Sequence, residues 1–208
     1  MRKALSLMAL GAVAASTSVQ ANDNWYVAAD VLKTELDAES IKVDSSTGVS
    51  IALGTEYQYS NGFSLAWEFE YIHFGTFTES LMENDYNYFE KEKFEVEAQS
   101  FNFNVKPKYY FSDSGLYLGA IAGVGVTKAD LTWTYETNLP YGENETYSDD
   151  GSDLSFNYGV EAGYKFTSGV VVSGGYRASS VAIGVEGGGE LDLDFDSFFV
   201  GVEYHFGS

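Results

Sequence analysis

The feature that most constrains this chain is an alternation of large apolar residues with small or polar residues, repeated in eight segments. The last segment, residues 196–206, shows it clearly. A two-residue period is typical of a β-strand whose two faces meet different environments. Because an aromatic-rich strand at the edge of a sheet would promote aggregation, we expect the sheet to close into a barrel, which has no edges. The bulky residues of this closing strand are Phe198, Val200, Val202, Tyr204 and Phe206.

Seven further segments carry the same alternation, and their connections differ in length. The segments begin at Trp25, Val49, Phe63, Phe101, Leu116, Leu154 and Val170. Three connections are tight turns rich in Gly, Ser, Asn and Asp. The other four are longer and polar, and cover residues 37–46, 75–93, 134–153 and 181–190. Short turns at one end and long loops at the other are typical of membrane-spanning β-barrels.

The two strand faces distinguish a membrane barrel from a soluble one. One face carries Trp, Phe, Tyr, Leu and Val, whereas the other carries Gly, Ser and charged residues. A soluble lipocalin-like barrel also has about eight strands, but its apolar face lines an internal cavity. Small and charged residues cannot line such a cavity, whereas large apolar residues can face lipid. The sequence therefore predicts an all-β fold, an eight-stranded antiparallel up-and-down transmembrane β-barrel.

The N-terminal stretch has the features of a secretory signal peptide over residues 1–21. Arg2 and Lys3 precede an apolar run over residues 4–15, and Val19, Gln20 and Ala21 offer a cleavage site. The apolar run is too short to cross a bilayer as a helix. We expect cleavage near Ala21 and a single barrel domain over residues 22–208. An uncleaved N-terminal anchor is the alternative.

The chain is strongly acidic, with 31 Asp and Glu against 11 Lys and Arg and a formal net charge of −20. Because such a surface repels phosphates, nucleic acid is not expected as a partner. The excess acid is interpreted either as a solvated surface or as divalent-cation binding in the loops, since hard cations prefer oxygen ligands. The spacing matches no EF-hand loop. The candidate metal ligands are Asp149, Asp150, Asp192 and Asp194. No cofactor is expected.

Charged residues on the inward parity predict an ionic network in the lumen. Its predicted members are Asp30, Glu56, Glu68, Glu70, Lys106, Lys108, Glu161, Lys165, Arg177 and Glu203. A barrel of this size encloses little more than its own side chains. Unpaired charges would be costly there, so we expect ion pairs, with Glu161 bridged diagonally to Arg177. The network is interpreted as a structural plug, with a narrow ion path as the alternative.

An enzymatic role would require a nucleophile beside a base that a third group orients. The chain has only two histidines, His73 and His205, and no Cys. Neither histidine lies in a recognisable cluster with a serine in the sequence. The sequence therefore does not predict an enzyme.

A resemblance to a known family extends over essentially the whole mature chain. It runs from WYVAADV at Trp25 in the first strand to GVEYHF at Gly201 in the last. The chain resembles the small outer-membrane β-barrel family that includes OmpX and the membrane domain of OmpA. The resemblance implies a Gram-negative outer membrane, contact with its lipid and lipopolysaccharide, a monomer, and a closing strand read by the barrel-assembly machinery. Gly207 and Ser208 depart from the family, which usually ends on the aromatic residue.

Two functions from different classes remain open at this point. The leading hypothesis is a structural or surface-interaction role through acidic extracellular loops. The alternative is a narrow porin-like channel for ions or small solutes, and a lipid A-modifying enzyme is a minority hypothesis. No periplasmic peptidoglycan-binding domain follows the barrel in this sequence, so a wall-tethering role is not carried over from OmpA proteins.

Overall fold

A computed structural model describes residues 25–38, 41–85, 88–111, 114–139, 142–185 and 189–206. Its strands form one closed antiparallel sheet in chain order. They are β1 (Trp25–Ala38), β2 (Ile41–Gln58), β3 (Phe63–Asp85), β4 (Tyr88–Tyr110), β5 (Leu116–Thr137), β6 (Glu145–Lys165), β7 (Val170–Val185) and β8 (Gly189–His205). The predicted eight-stranded up-and-down barrel is confirmed. The predicted signal peptide lies outside the described residues.

No helix in the described part of the chain is long and apolar enough to cross a membrane.

Strand β8 closes the barrel by pairing with β1. Tyr26 lies opposite His205 at one end of this pair, and Ala38 lies opposite Leu193 at the other. One residue further, the amide of Phe206 donates to the carbonyl of Trp25 at 2.8 Å. The bulky residues that the sequence predicted on the outward parity of the closing strand are all exposed, as expected for a lipid-facing strand. These residues are Phe198, Val200, Val202, Tyr204 and Phe206.

The outward face of the other strands is equally apolar. Its exposed side chains include Phe69, Phe101, Phe156 and Val160. Aromatic residues collect at one end of the barrel, where Tyr204 and Phe206 meet edge to face with ring centroids 5.3 Å apart. Because the same strands bury their alternate residues, the sheet is arranged with its apolar side out, as expected for a barrel surrounded by lipid.

The two ends of the barrel are built differently. The turn end carries both described chain ends and the three short connections, one of them a single 3₁₀ turn at Ser60–Gly62. The opposite end, the hairpin end, is uneven in height. Strands β3 to β6 have 23, 23, 22 and 21 residues and form a tall wall. Strands β1, β2, β7 and β8 have 14, 18, 16 and 17 residues and form a low rim.

All four predicted loops are too long. Residues 37–46 and 181–190 are mostly strand, since β1 ends at Ala38, β2 begins at Ile41, β7 ends at Val185 and β8 begins at Gly189.

The tall wall makes the largest correction, in the predicted loops 75–93 and 134–153. Most of both stretches is strand: β3 pairs with β4 as far as Asp85 opposite Tyr88, and β5 pairs with β6 as far as Tyr135 opposite Glu145. Beyond a membrane both faces of a strand meet water, so the apolar alternation that marks a strand in the sequence fades. The hydrogen-bond ladder needs no such alternation and continues.

Two glycines make room for large tyrosines inside the turn end. A Cβ at Gly54 would lie 2.4 Å from the ring of Tyr26, and a Cβ at Gly163 would lie 2.5 Å from the ring of Tyr117. Both tyrosines are fully buried. Each ring therefore lies over the bare backbone of the neighbouring strand, and the narrow lumen can hold it.

Candidate functional site

The middle of the lumen holds a cluster of charged side chains, called here the ionic layer. Its members are Asp30, Glu56, Glu68, Glu70, Lys106, Lys108, Glu161, Arg177 and Glu203. All are buried except Asp30, which is nearly so. The alternation of each strand directs them inward, and the small radius of the barrel brings them together. Such charges are stable only when they are paired, because desolvation is costly.

Two lysines bridge carboxylates from several strands. Lys106 Nζ lies 3.0 Å from Glu161, 3.4 Å from Glu68 and 3.4 Å from Glu203. Lys108 Nζ lies 3.2 Å from Glu203, 3.5 Å from Glu161 and 3.8 Å from Glu56. The same ammonium lies 4.8 Å from the ring centroid of Tyr117. Each lysine thus links β4 to strands on other sides of the barrel.

Arg177 forms a separate group with carboxylates of β1 and β3. Its guanidinium lies 3.0 Å from Asp30 and 2.5 Å from Glu70. The predicted bridge between Glu161 and Arg177 is therefore wrong. Arg177 lies opposite Gly159 in the β6–β7 pair. A long side chain in a narrow lumen reaches strands across the axis, and a prediction made from one hairpin cannot include those strands.

Several side chains that the sequence did not single out complete the layer. Asn104 donates to Glu70 at 2.8 Å, and Tyr26 donates to Glu68 at 2.8 Å. His205 Nε2 lies 3.4 Å from Glu203 Oε2. Lys165, which was predicted for the network, lies at its turn-end edge, with Nζ 3.5 Å from His205 Nδ1. All of these residues lie on the inward parity of their strands, which would have placed them in the lumen. The prediction considered only the acidic and basic residues on that parity.

Above the ionic layer, toward the hairpin end, the lumen is filled by packed apolar side chains, called here the apolar plug. Phe74 and Phe195 stack with ring centroids 4.5 Å apart, and Phe77 packs against Phe195. Other buried members are Leu32, Leu36, Ile72, Val96, Ile121, Ile183 and Leu193. The sequence reasoning missed this plug. Phe74 lies on the regular inward parity of β3 with Ile72, and a register shift between His73 and Gly75 brings Phe77, on the opposite parity, inward as well. A strict alternation hides that shift, and the expectation of a small or polar inward face overlooked the apolar residues that keep the parity.

The turn end, by contrast, is open. A vestibule of ≈ 910 Å³ lies among the turns, and its lining includes Gln58, Tyr110 and Lys165. A cavity among the turns thus lies at one end of the barrel, next to Lys165, whereas packed apolar side chains fill the lumen toward the other end.

The axis-facing side of the tall wall, called here the aromatic–acidic face, carries Glu92, Trp133, Tyr135, Glu143 and Glu145. These residues line a shallow depression of ≈ 480 Å³. The rings of Trp133 and Tyr135 are parallel to within 17°. The hydroxyl of Tyr135 donates to Glu90, and this hydrogen bond raises the pKa of Tyr135 above its ordinary value.

The lysines of the tall wall lie on its outward side, where acids pair with them. Lys128 Nζ lies 2.7 Å from Asp130 and 3.4 Å from Asp150. The hydrogen bond to Asp130 is the main cause that raises the pKa of Lys128. Lys93 lies 2.9 Å from Glu95. The described part of the aromatic–acidic face carries no lysine or arginine, so its carboxylates have no basic neighbour on that side.

The four loop aspartates predicted as metal ligands do not form one site. Asp150 pairs with Lys128, whereas Asp194 accepts a hydrogen bond from Ser180 on another part of the barrel. Asp149 lies beside Asp150 on β6, and Asp192 lies on β8. Among the described residues, the group spaced to hold a metal ion is instead Glu56, Glu203 and His205.

Sequence comparison identifies this architecture. Residues 5–206 match the outer membrane protein beta-barrel domain. The chain belongs to this outer-membrane barrel family. The turn end of an outer-membrane barrel faces the periplasm and the hairpin end faces outward. The barrel therefore lies in the outer membrane of a Gram-negative cell, with its apolar outer face against lipid.

Several solved structures share the architecture at low sequence identity. Ail of Yersinia pestis, in complex with the heparin analogue sucrose octasulfate, is 13% identical over 89% of this chain and 100% of its own, with a TM-score of 0.45. Neisserial surface protein A is 17% identical over 88% and 97%, with a TM-score of 0.47. OprG of Pseudomonas aeruginosa is 10% identical over 89% and 97%, with a TM-score of 0.43. No curated protein sequence matches this outer-membrane barrel.

Proposed function

We propose that this chain is a closed, monomeric barrel that anchors a binding surface on the outside of the cell. The observation that supports this proposal is the apolar plug, in which Phe74, Phe77 and Phe195 pack above the ionic layer. Ions lose their hydration at great cost among packed apolar side chains. The protein would reach its place after cleavage near Ala21 and insertion by the barrel-assembly machinery, and lipopolysaccharide would surround it.

The height of the tall wall supports an extracellular role. Strand β4 has 23 residues, and about 9–11 residues suffice to cross the membrane. The dozen that remain, at about 3.4 Å per residue and a tilt of about 40°, rise roughly 30 Å above the lipid. A wall of this height places the aromatic–acidic face well outside the membrane.

The chemistry of the aromatic–acidic face indicates a cationic ligand. Trp133 and Tyr135 present aromatic rings, which attract ammonium and guanidinium groups. Glu92, Glu143 and Glu145 surround the same depression and are exposed. The ligand class that fits both features is a lysine- and arginine-rich peptide segment of another protein.

A binding measurement tests this function. The mature barrel in lipid nanodiscs is titrated into a fluorescent lysine- and arginine-rich peptide, and the anisotropy is followed. We expect saturable binding that weakens with salt. Trp133→Ala combined with Glu92→Gln should weaken it by about tenfold, in the range of one cation–π contact and one carboxylate contact.

The matched control changes charge on the opposite face of the same strands. Asp130→Asn combined with Asp150→Asn removes two outward carboxylates, and we expect little change in affinity. Equal weakening in both double variants would show that the peptide responds only to the net charge. That result, or the absence of binding, would contradict the proposal.

A narrow channel is the second candidate, and the open vestibule and charged lumen favour it. Planar-bilayer recording distinguishes the two functions. A closed barrel gives no steady conductance, whereas a channel gives steady, cation-selective current through its acidic lumen.

A further inference from the structure

Three buried side chains at the periplasmic edge of the ionic layer share a common centre. The ligand atoms of Glu56, Glu203 and His205 all lie within 4.8 Å of one another. His205 Nε2 is 3.4 Å from Glu203 Oε2 and 3.7 Å from Glu56 Oε2. Two ligands of a tetrahedral ion with bonds of about 2.0–2.1 Å are about 3.4 Å apart. The two separations from His205 are therefore close to those of a tetrahedral site, whereas the two carboxylates, whose ligand atoms lie within 4.8 Å of each other, would move closer when an ion binds.

Glu56 provides an independent indication of a ligand. Its exposed fraction is 3%, and neither of its carboxylate oxygens accepts a hydrogen bond of normal geometry from the described residues. The hydroxyls of Ser64 and Tyr110 lie close enough to interact with it, and Lys108 Nζ is 3.8 Å away. Burying a carboxylate with so few close bonds is costly unless a cation compensates for the lost water. Glu56 can therefore turn its lone pairs to a cation between the three side chains.

The charge balance of the lumen favours a doubly charged ion. The ionic layer contains six carboxylates and three bases. Lys165, at the edge of the layer, adds a fourth positive charge. The carboxylates thus outnumber the lysine and arginine side chains by two. One divalent cation would bring this buried cluster to neutrality.

The surroundings hold the three groups in place. Both oxygens of Glu203 accept from Lys108 Nζ, at 3.2 and 3.3 Å. The imidazole of His205 stacks on Tyr26 with centroids 5.0 Å apart. Lys108 also contacts Glu161, so it keeps a carboxylate partner when an ion shares Glu203. Metal binding through Nε2 leaves the imidazole proton on Nδ1, where it would face the Lys165 ammonium 3.5 Å away. Lys165 lines the vestibule, so its side chain would have to turn toward that space when the ion binds.

We propose that Glu56, Glu203 and His205 bind one divalent transition-metal ion of the Zn²⁺ class. One imidazole nitrogen and two carboxylates form a donor set that suits Zn²⁺ better than Mg²⁺ or Ca²⁺, which prefer oxygen ligands alone. Three protein ligands leave the fourth position to water. The ion enters from the periplasm through the vestibule, because the apolar plug fills the outer side.

A metal titration tests this proposal directly. The mature barrel, refolded in detergent and stripped with EDTA, is titrated with Zn²⁺ against a chromophoric chelator in excess Mg²⁺. We expect one equivalent per chain. Glu56→Gln keeps the shape of the side chain but removes a charged ligand, and should weaken Zn²⁺ binding by at least about tenfold. Heat-dependent gel mobility checks that the variant is folded.

Two control variants separate the geometry of the site from charge alone. Glu68→Gln removes one charge from the same ionic layer without touching a proposed ligand, and Asp149→Asn with Asp150→Asn removes surface carboxylates. We expect the surface variant to bind Zn²⁺ within about threefold of the parent. Glu68→Gln removes charge but no ligand, so it should weaken Zn²⁺ binding clearly less than Glu56→Gln does. The site would be overturned if Glu68→Gln weakened Zn²⁺ binding as much as Glu56→Gln does. It would also be overturned if the surface variant alone lost Zn²⁺ binding.

Visible absorption of Co²⁺ bound to the unmodified barrel tests the site even if Glu56→Gln does not fold. Co²⁺ in a site with one nitrogen and two oxygen ligands and a low coordination number absorbs visible light far more strongly than aqueous Co²⁺. We expect this absorption to appear at one equivalent and to disappear when Zn²⁺ is added. Absence of stoichiometric binding of either ion would overturn the proposal.

Discussion

Phe74 of β3 and Phe195 of β8 stack across the lumen, with ring centroids 4.5 Å apart and planes 16° from parallel. The two strands are not neighbours in the sheet, so this contact spans the interior of the barrel. The stacked pair lies between the ionic layer and the hairpin end. Within the ionic layer, Arg177 pairs with Asp30 and Glu70. The lumen therefore contains two different obstacles in series, one charged and one apolar.

The first prediction concerns Arg177. Arg177→Ala leaves Asp30 and Glu70 buried without their cation, and breaking a buried pair in this way costs about 3–5 kcal/mol. We expect lower stability in urea but no rise in planar-bilayer conductance, because the apolar plug remains. Conductance should rise only when Phe195→Ala is added. A steady current from Arg177→Ala alone would show that the plug does not seal the barrel.

The second prediction concerns the lipid-facing side. Val160 points outward from β6 and is 60% exposed. Val160→Arg should cost about 2–4 kcal/mol of stability in lipid vesicles if the residue lies near the bilayer midplane. Val160→Leu, at the same position, should be nearly neutral. Equal unfolding midpoints for the two variants would contradict the lipid-facing assignment.

The third prediction compares two glycines. A Cβ at Gly163 would lie 2.5 Å from the ring of Tyr117, whereas a Cβ at Gly184 would have no atom within 4 Å. Gly163→Ala should therefore displace the tyrosine and cost about 1–3 kcal/mol. Gly184→Ala should leave the urea midpoint almost unchanged. A similar loss in both variants would mean that strand flexibility, and not the tyrosine contact, sets the cost.

The fourth prediction addresses assembly. The closing strand of this family implies recognition of its terminal aromatic by the barrel-assembly machinery. Phe206→Ala should lower the heat-modifiable, folded fraction in cells while refolding into vesicles in vitro remains close to the parent. Phe198→Ala, on the same face of β8, serves as the control. If Phe206→Ala assembled normally in cells, Phe206 would have no special role in recognition.

The sequence allowed the barrel and the inward or outward direction of its strand residues to be predicted, because lipid and lumen impose opposite requirements on alternate positions. This is why Val160 and Glu161 could be assigned to opposite faces of β6. The same reasoning predicted that charges would meet in the lumen. It could not predict their partners, since Arg177 reaches β1 and β3 across the axis.

The apolar plug and the tall wall were missed for related reasons. Phe74 faces inward on the regular parity of β3, where the sequence predicted small or polar residues, and Phe77 faces inward only because of a register shift that a strict two-residue period hides. Trp133 and Tyr135 belong to strands that continue beyond the membrane, where water meets both faces and removes the alternation. The sequence placed His205 in no cluster, because its proximity to Glu56 depends on β2, which is distant in sequence.

The unequal strand lengths give the outer mouth an oblique rim. A ligand on the aromatic–acidic face would be held to one side of the barrel axis, with the wall of β3 to β6 behind it. The rest of a large partner could then extend only across the low rim formed by β7, β8, β1 and β2. The barrel would thus fix the direction from which a partner docks, and neighbouring molecules in a crowded membrane would have to leave that one side clear.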